Sequence, residues 1–268
     1  MKKNRVIPVL LLKNGWLVQS REFSRHQNLG NPIDAVKRLS KWASDELIYL
    51  DISRDDLYDI RRDDQGYRNI NSFLGIIESI SKEVFMPMTI GGKIKNLHDI
   101  EKRLLLGADK ISINTEAYKN NSLIEDAAKE FGSQCIIVSM DVKQNENGYS
   151  VFTNFGKNDT GHDPLYWSKR MESSGAGEIL LNSIDRDGTG IGYDIELLDQ
   201  ISSKCKCPII ALGGVGEWSH FKEALEKTSV DSVAAANIFQ YTDQSVFLAK
   251  KYLAKKGCNV RKPDLLKL

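Results

Sequence analysis

Short apolar runs rich in β-branched residues alternate along the chain with amphipathic segments. The runs predict eight strands, at residues 5–12, 46–51, 86–90, 109–113, 135–141, 178–182, 208–212 and 231–236. Helical periodicity lies between them, for example over residues 33–43 and 123–131. Strands that alternate with helices through mostly short links favour a parallel sheet in an α/β protein. Eight is also the number of strands that closes a (βα)8 TIM barrel, so we predict a single barrel domain over residues 1–268. An open, doubly wound sheet is the alternative.

The second half of the chain repeats features of the first. Residues 87–92 resemble residues 208–214, and each segment is an apolar run that ends in a glycine pair. The same number of residues separates each pair from an aspartate, Asp109 in the first half and Asp231 in the second. The repeat predicts two fused half-barrels, about residues 1–131 and 132–268, and a ligand with phosphate at both ends.

Composition narrows the class of protein. The chain of 268 residues is 41% hydrophobic and 27% charged, as in globular proteins with an ample core. A formal charge of +1 gives no reason to expect nucleic acid or an anionic membrane as partner. No apolar run is long enough to cross a bilayer, and the N-terminal run is interrupted by Lys13, which favours a strand over a signal peptide. We expect a cytoplasmic protein.

The cysteines and histidines indicate no metal site or cofactor. The cysteines lack paired metal-ligand spacing and are expected to be reduced; they are Cys135, Cys205, Cys207 and Cys258. The histidines are scattered without ligand spacing; they are His26, His98, His162 and His220. No Ser-His-Asp or Cys-His arrangement is visible.

Three connections are long enough to cover a ligand: residues 13–31, 53–68 and 143–163. The first is polar and aromatic, with Arg21, Phe23, Arg25 and His26. We expect it to be either a closing lid or a disordered surface loop.

Glycine pairs follow two of the predicted strands, at Gly91-Gly92 and Gly213-Gly214. Glycine lets the backbone approach a phosphate, and successive N–H groups can hold the anion. We therefore predict two phosphate sites at the carboxyl ends of the strands, with tight βα turns as the alternative. The residues expected to complete the second site are Asp187, Gly188, Ala236 and Asn237. Lys93 follows the first pair, and a lysine can itself pair with phosphate.

Asp141 ends the fifth predicted strand and is the candidate general acid or base. Capping or loop hydrogen bonding is the alternative role. The half-barrel repeat aligns Asp141 with Leu11, where a second carboxylate would be expected. Leucine cannot transfer protons, so the chemistry at the mouth depends on what replaces that carboxylate.

Four charged residues stand where predicted strands begin, which is the floor of the barrel. They are Arg5, Glu46, Lys110 and Glu178. Two cations and two anions can neutralise one another in a ring. The residue types by themselves favour a structural layer of salt bridges.

Several motifs resemble those of the HisF family, the cyclase subunit of imidazole glycerol phosphate synthase, over essentially the whole chain. The matching segments are residues 107–115, 131–134, 175–181, 183–189, 192–194 and 259–261. The resemblance implies a barrel that receives ammonia from a HisH-like glutaminase docked beneath it and passes the ammonia to a bisphosphorylated ribulosyl substrate at the mouth.

The resemblance also implies roles for individual residues. Gly92, Asn114 and Thr115 would line one phosphate site, and the other would be lined by Asp187, Gly188, Gly214, Ala236 and Asn237. The floor ring would be an ammonia gate, which replaces the purely structural interpretation. Asp109 would face the glutaminase.

Three positions depart from the family pattern. Leu11 replaces one of two catalytic aspartates, Gln19 replaces the lysine of the first loop, and Lys93 replaces a glycine. Losing one acid or base typically lowers the rate by about 10²–10⁴-fold. The segment from Leu10 to Lys13 looks like that of a diverged branch linked to surface-polysaccharide genes.

Three functions remain open. The leading hypothesis is an ammonia-delivering subunit that works with a glutaminase and a third amidotransferase enzyme to make an acetamidino sugar. The alternatives are a working imidazole glycerol phosphate cyclase, in which Asp141 alone suffices or Asp51 substitutes for the missing acid, and a non-catalytic activator of the glutaminase.

Overall fold

The computed structural model describes residues 3–55, 58, 70, 72–120, 122–146, 148–241 and 245–263. Twelve strands lie within these ranges. They are β1 (Arg5–Lys13), β2 (Trp16–Arg21), β3 (Arg25–Gly30), β4 (Leu47–Asp51), β5 (Met88–Gly91), β6 (Lys110–Ile113), β7 (Ile136–Asn145), β8 (Gly148–Thr153), β9 (Asn158–Asp159), β10 (Glu178–Ser183), β11 (Ile209–Leu212) and β12 (Ser232–Ala235).

Eight of these strands form a closed parallel barrel in the order β1-β4-β5-β6-β7-β10-β11-β12. Closure is made by β12 and β1, which pair in parallel with Arg5 opposite Ser232. The predicted (βα)8 barrel is confirmed, and the alternative of an open sheet is wrong. The predicted strands match the eight barrel strands to within about two residues at most ends, as expected from apolar patterning.

Nine α-helices lie among the described residues. They are α1 (Pro32–Lys41), α2 (Phe73–Ser81), α3 (Leu97–Leu105), α4 (Thr115–Lys119), α5 (Leu123–Phe131), α6 (Pro164–Ser173), α7 (Ile195–Ser202), α8 (Trp218–Lys227) and α9 (Val246–Lys255). Side-chain caps fix several starts: Asn31, Asn96 and Asp163 each accept a backbone N–H from the first turn. The proposed boundary between half-barrels, at residues 131 and 132, falls between α5 and β7.

Two of the three long connections contain antiparallel hairpins. β2 pairs with the end of β1 and with β3, and β8 pairs with the end of β7 and with β9. The expectation of a disordered loop after the first strand is therefore wrong, because the strand continues past the barrel and pairs with the segment that follows it. The connection at residues 53–68 lies, except for residues 53–55 and 58, outside the described part of the chain.

Alternation along the barrel strands produces two apolar layers. Residues that point outwards form a large core with the helices, including Leu10, Leu12 and Tyr49. Residues that point inwards fill the barrel; they are Ile7, Val9, Ile48, Ile137, Leu180, Ile210, Leu212 and Ala234. Burial on both faces explains the continuous apolar runs of the sequence. Across the described residues, no helix is both long and apolar enough to span a membrane.

Candidate functional site

Asp141 lies at the mouth of the barrel between two amides. It follows the buried inward-facing Ile137 by four residues, so its side chain faces the interior. Asn114 Nδ2 donates to one carboxylate oxygen over 2.9 Å, and Asn182 Nδ2 donates to the other over 3.2 Å. Asn182 stands beside Asp141 in the parallel register of β10 and β7. Two strands thus fix both oxygens of this carboxylate.

Burial raises the pKa of Asp141 from 3.8 to about 6. The two amide hydrogen bonds lower this pKa, and the nearby charge of Asp187 raises it further, but burial is the largest effect. A carboxyl group with this pKa exchanges protons readily near neutral pH, as a general acid or base must.

Leu11 faces the same interior and packs against the inner apolar cluster. The structure therefore puts a hydrocarbon side chain where the half-barrel repeat expects a second carboxylate. Asp51 does not replace it. It lies five residues after the inward-facing Glu46 and points to the other side of β4, because an odd separation along a strand reverses the face.

The buried carboxylate of Asp51 is held on that outer side by several donors. Ser53 donates through its backbone N–H over 2.9 Å and through its hydroxyl, the Tyr58 hydroxyl donates over 3.1 Å, and Lys93 Nζ lies 3.4 Å away. The interpretation of Asp51 as a substitute acid opposite Asp141 is therefore wrong.

The four charged residues at the floor form a closed ring of alternating sign. Arg5 contacts Glu46 over 2.6 Å and Glu178 over 2.8 Å, and Lys110 contacts the same two glutamates over 3.1 Å and 2.8 Å. Their side chains are only 9–16% exposed. The ring closes the end of the barrel opposite Asp141.

Each charge in the ring stabilises its neighbours. Burial alone lowers the pKa of Arg5, but its hydrogen bond to Glu178 and the charges of Glu178 and Glu46 raise the pKa overall. Burial raises the pKa of Glu178, yet hydrogen bonds and charges from Arg5 and Lys110 lower it overall. Arg5 and Glu178 are consequently charged near neutral pH, and the formal charges of the four side chains sum to zero.

The first glycine pair ends β5. Gly92 has φ +106°, and a Cβ there would collide with the backbone of Asp51, so only glycine fits. Lys93 follows with φ +55°. Its ammonium contacts the Asp51 carboxylate and the Asp55 carbonyl, and it lies 5.5 Å from the centre of the Tyr58 ring. These contacts direct Lys93 towards the outer side of β4.

Asn114 and Thr115 lie at the end of the next strand. The Thr115 hydroxyl donates to Asn114 Oδ1 over 3.3 Å and accepts the backbone N–H of Asn154 over 3.0 Å. Asn154 belongs to the turn of the β8–β9 hairpin, so this hairpin contacts the predicted first phosphate site.

The second glycine pair follows β11, with φ +104° at Gly213 and +97° at Gly214. The other residues predicted for this site converge nearby and contact the β2–β3 hairpin. Asp187 accepts the Ser20 hydroxyl over 2.6 Å and the backbone N–H of Phe23 over 3.2 Å. Asn237 Nδ2 donates to the Ser20 carbonyl over 2.8 Å, while its Oδ1 is buried without a partner in the described residues.

Gly188 and Ala236 are the neighbours of Asp187 and Asn237 along the chain. A Cβ on Gly188 would collide with the Ser20 carbonyl, so the hairpin requires glycine there. Ala236 directly follows β12 and packs against the inner cluster. Burial raises the pKa of Asp187, although the Ser20 hydroxyl and the Phe23 N–H lower it.

Two further predicted positions lie outside the mouth. Asp109, at the floor end of β6, is exposed and accepts the backbone N–H of Met88 over 2.8 Å. Gln19, where the resemblance implies a lysine, donates to Gln27 on the neighbouring strand over 2.9 Å. Neither side chain contacts Asp141.

Sequence reasoning missed Asn182 and Ser20 as site residues. Asn182 lies four residues after Glu178 and so shares its inward face, a spacing that could have identified it. Nothing in the sequence indicates that Ser20 reaches Asp187, because the two residues meet only when the hairpin folds over the mouth.

These features define a (βα)8-barrel protein with polar residues gathered at the carboxyl ends of its strands, where barrels of this fold carry their active sites. Residues 5–245 match the family described as "Histidine biosynthesis protein". Three relatives are named imidazole glycerol phosphate synthase subunit HisF, from Clostridium botulinum strains Okra, Kyoto and 657. Each is 38% identical over 263 residues, which cover 97% of this chain and 100% of the relative. The chain belongs to the HisF family.

Proposed function

We propose that the chain is the cyclase subunit of an imidazole glycerol phosphate synthase. A HisH-like glutaminase would supply ammonia to the floor. At the mouth, ammonia and the phosphorylated ribulosyl substrate would give imidazole glycerol phosphate, aminoimidazole carboxamide ribotide and water. One observation carries the proposal: the ionic ring and the buried Asp141 occupy opposite ends of one apolar interior. Similarity over 97% of the chain to subunits named for this synthase supports it. We propose that residues 1–268 act as one unit in the cytoplasm, where free thiols stay reduced.

The interior suits neutral ammonia rather than ammonium. Transfer of an unpaired ion into apolar surroundings is costly, whereas neutral NH3 needs only modest hydrogen bonding. Ser112 lies two residues after Lys110 on the inner face of β6, and its buried hydroxyl has no partner among the described residues. This hydroxyl could exchange a hydrogen bond with ammonia on its way to the mouth. The ring would open by parting Lys110 from the two glutamates.

Asp141 would transfer protons during ring closure, and the two glycine pairs would hold the terminal phosphates of the substrate. The second site would include Asp187, Gly188 and Asn237. The β2–β3 hairpin, which contacts these residues, would close over the bound phosphate.

The test uses the purified chain with the ribulosyl substrate and ammonium salt. We expect turnover, and we expect Asp141→Asn to reduce it by about 10²–10⁴-fold. Asp199→Asn, an exposed change on α7, should leave the rate unchanged. No turnover of the wild-type chain at high ammonium concentration would refute the proposal.

A second experiment, with the glutaminase present, tests whether the ionic ring at the floor acts as an ammonia gate. Lys110→Met should reduce glutamine-dependent turnover more than ammonium-dependent turnover, because added ammonia can also enter from the mouth. Equal losses with both nitrogen sources would count against a gate at the ring.

Leu11 supports a second candidate function, the delivery of ammonia for acetamidino-sugar synthesis with a third amidotransferase enzyme. Leu11 occupies the position where a second carboxylate is expected. Among the described residues of the mouth, no other carboxylate lies opposite Asp141. Complementation separates the candidates: a strain without its own cyclase should grow with this gene if the first proposal holds and should not grow if the second holds.

A non-catalytic activator of the glutaminase would behave differently from both. In that case Asp141→Asn would leave the activity of the reconstituted complex unchanged.

A further inference from the structure

One face of the β2–β3 hairpin is turned towards the mouth of the barrel. Leu11 on β1 faces the interior, and Lys13, two residues later on the same strand, shares that face. Ser20 and His26 stand opposite each other on β2 and β3. Cross-strand partners share one side of a sheet, and Ser20 reaches Asp187 at the mouth over 2.6 Å. His26 is therefore on the mouth side as well.

The neighbouring pair marks the opposite face. Gln19 and Gln27 are directly paired, their side chains are hydrogen-bonded over 2.9 Å, and Gln27 is exposed. Alternation between the two pairs gives the hairpin an outer polar face and an inner face with Lys13 and His26.

Lys13 and His26 are in direct contact, with 3.3 Å between Nζ and Nδ1. A lysine ammonium has only N–H groups to offer, so Nδ1 must accept. The neutral imidazole then carries its proton on Nε2. Burial, followed by the charge of Lys13, lowers the pKa of His26, which keeps the ring neutral near pH 7.

We propose that Lys13 and His26 form an anion-binding pair on the inner face of the hairpin, for a phosphate oxygen of the ligand held beside Asp187 and Gly188. His26 donates through Nε2–H, and Lys13 supplies positive charge and fixes the tautomer of His26. The inference deepens the proposed function, since it names a further group for the second phosphate site.

Charge balance supports this assignment. The second site contains the carboxylate of Asp187, which would repel a phosphate. The cation of Lys13, together with the Nε2–H of His26, offsets that charge. Both side chains are partly buried, so their interactions are screened less than those of fully exposed groups.

The pair can be observed directly in the full chain by long-range ¹H–¹⁵N NMR of the histidine side chains, with inorganic phosphate as the probe. The spectrum of His26→Gln identifies the signals of His26 among the four histidines. We expect the Nε2–H tautomer at pH 7 and a shift of the His26 signals as phosphate is added. In Lys13→Met, the preference for this tautomer should weaken.

Affinity measurements give a second readout. The apparent dissociation constant of phosphate, followed through the Asn237 amide signal, should rise about tenfold in Lys13→Met and in His26→Leu, the change expected for one charge-assisted hydrogen bond. His26→Gln, which keeps an N–H donor, should recover most of the affinity. Gln27→Leu changes the outer face and should bind phosphate like the wild type, and all variants should keep the wild-type melting temperature.

The proposal fails if the His26 signals do not move at saturating phosphate, if the wild type binds no phosphate, or if Lys13→Met binds it with unchanged affinity. Its outcome is separable from that of the proposed function. A chain that shows these shifts but no cyclase turnover would keep the anion-binding pair and lose the synthase assignment.

Discussion

Replacing Asp141 by asparagine should make the folded protein more stable above pH 6. The carboxylate is buried and has a pKa of about 6 in the folded chain, compared with 3.8 for an ordinary aspartate. Between these two pH values the unfolded chain ionises Asp141 while the folded chain keeps it protonated. The unfolded state therefore binds fewer protons, and stability falls as pH rises through this window. Asparagine has no such cost.

The size of the effect follows from the shift in pKa. A rise from 3.8 to about 6 corresponds to about 3 kcal/mol at pH 8 and to almost nothing near pH 3. An asparagine side chain has one acceptor oxygen where the carboxylate has two, so one of the donors Asn114 and Asn182 loses its partner, which costs about 1 kcal/mol. Rotation of the Asn182 amide reduces this cost, because its unpaired Oδ1 can then accept from the new amide. A net stabilisation of about 2–3 kcal/mol is expected at pH 8.

Urea unfolding followed by tryptophan fluorescence, at several pH values from 4 to 8, measures this difference. The advantage of Asp141→Asn should grow between pH 4 and 6 and then stay constant. Asp199→Asn, which changes an exposed carboxylate, should differ from the wild type by less than about 0.5 kcal/mol throughout. A difference for Asp141→Asn that does not vary with pH would refute the argument that burial raises this pKa.

Two further predictions concern the floor ring and the first glycine pair. Lys110→Met leaves two glutamates facing one cation and should cost about 3–5 kcal/mol in urea unfolding at pH 7. Adding Glu46→Gln restores neutrality, so the double variant should be more stable than the sum of the single changes predicts; simple additivity would contradict the ring. Because the pKa of Glu178 is lowered, the wild-type ring loses its contribution as pH falls below about 4.5. Lys110→Met removes two of the interactions that lower this pKa, so the variant should lose less stability than the wild type over the same fall in pH. Gly92→Ala should cost at least about 3 kcal/mol, since its Cβ would collide with the backbone of β4. Gly148→Ala, with φ +117° but open space around the Cβ position, should cost only about 1–2 kcal/mol; equal costs would show that strain in φ is the whole effect.

The strands of the barrel were predictable because each is buried on both faces and therefore reads as a continuous apolar run. Strand starts were also predictable, since the charged residues of the floor interrupt those runs. Arg5 and Lys110 could be assigned to one end of the barrel because all its strands run parallel.

The side to which a residue points was harder to predict. Asp51 and Asn182 both end apolar strands, yet Asn182 hydrogen-bonds Asp141 and Asp51 lies on the outer side of β4. Asn182 lies four residues after the inward-facing Glu178 and so shares its face, whereas Asp51 lies five residues after the inward-facing Glu46 and so points the other way. Sequence similarity between half-barrels aligns the segments but does not reveal such a shift of one position.

The β2–β3 hairpin is the element that the sequence pattern predicts least well. The segment after β1 has mixed polar and aromatic residues without a regular alternation, a pattern that predicts a lid or a disordered loop. Its order comes from pairing with the end of β1 and from the contacts of Ser20 with Asp187 and Asn237. These partners lie far away along the chain.

By itself, the sequence determined the eight-strand alternation, the glycines at the strand ends and the membership of charged residues in the floor and mouth, because each depends on local burial or local backbone freedom. Only the tertiary structure decided that the four charges form a closed ring, that Asp141 lies between two amides, and that Lys13 and His26 meet on the inner face of a hairpin. The physical reason is that contacts between distant segments depend on closure of the barrel and on strand register, which no local pattern of residues encodes.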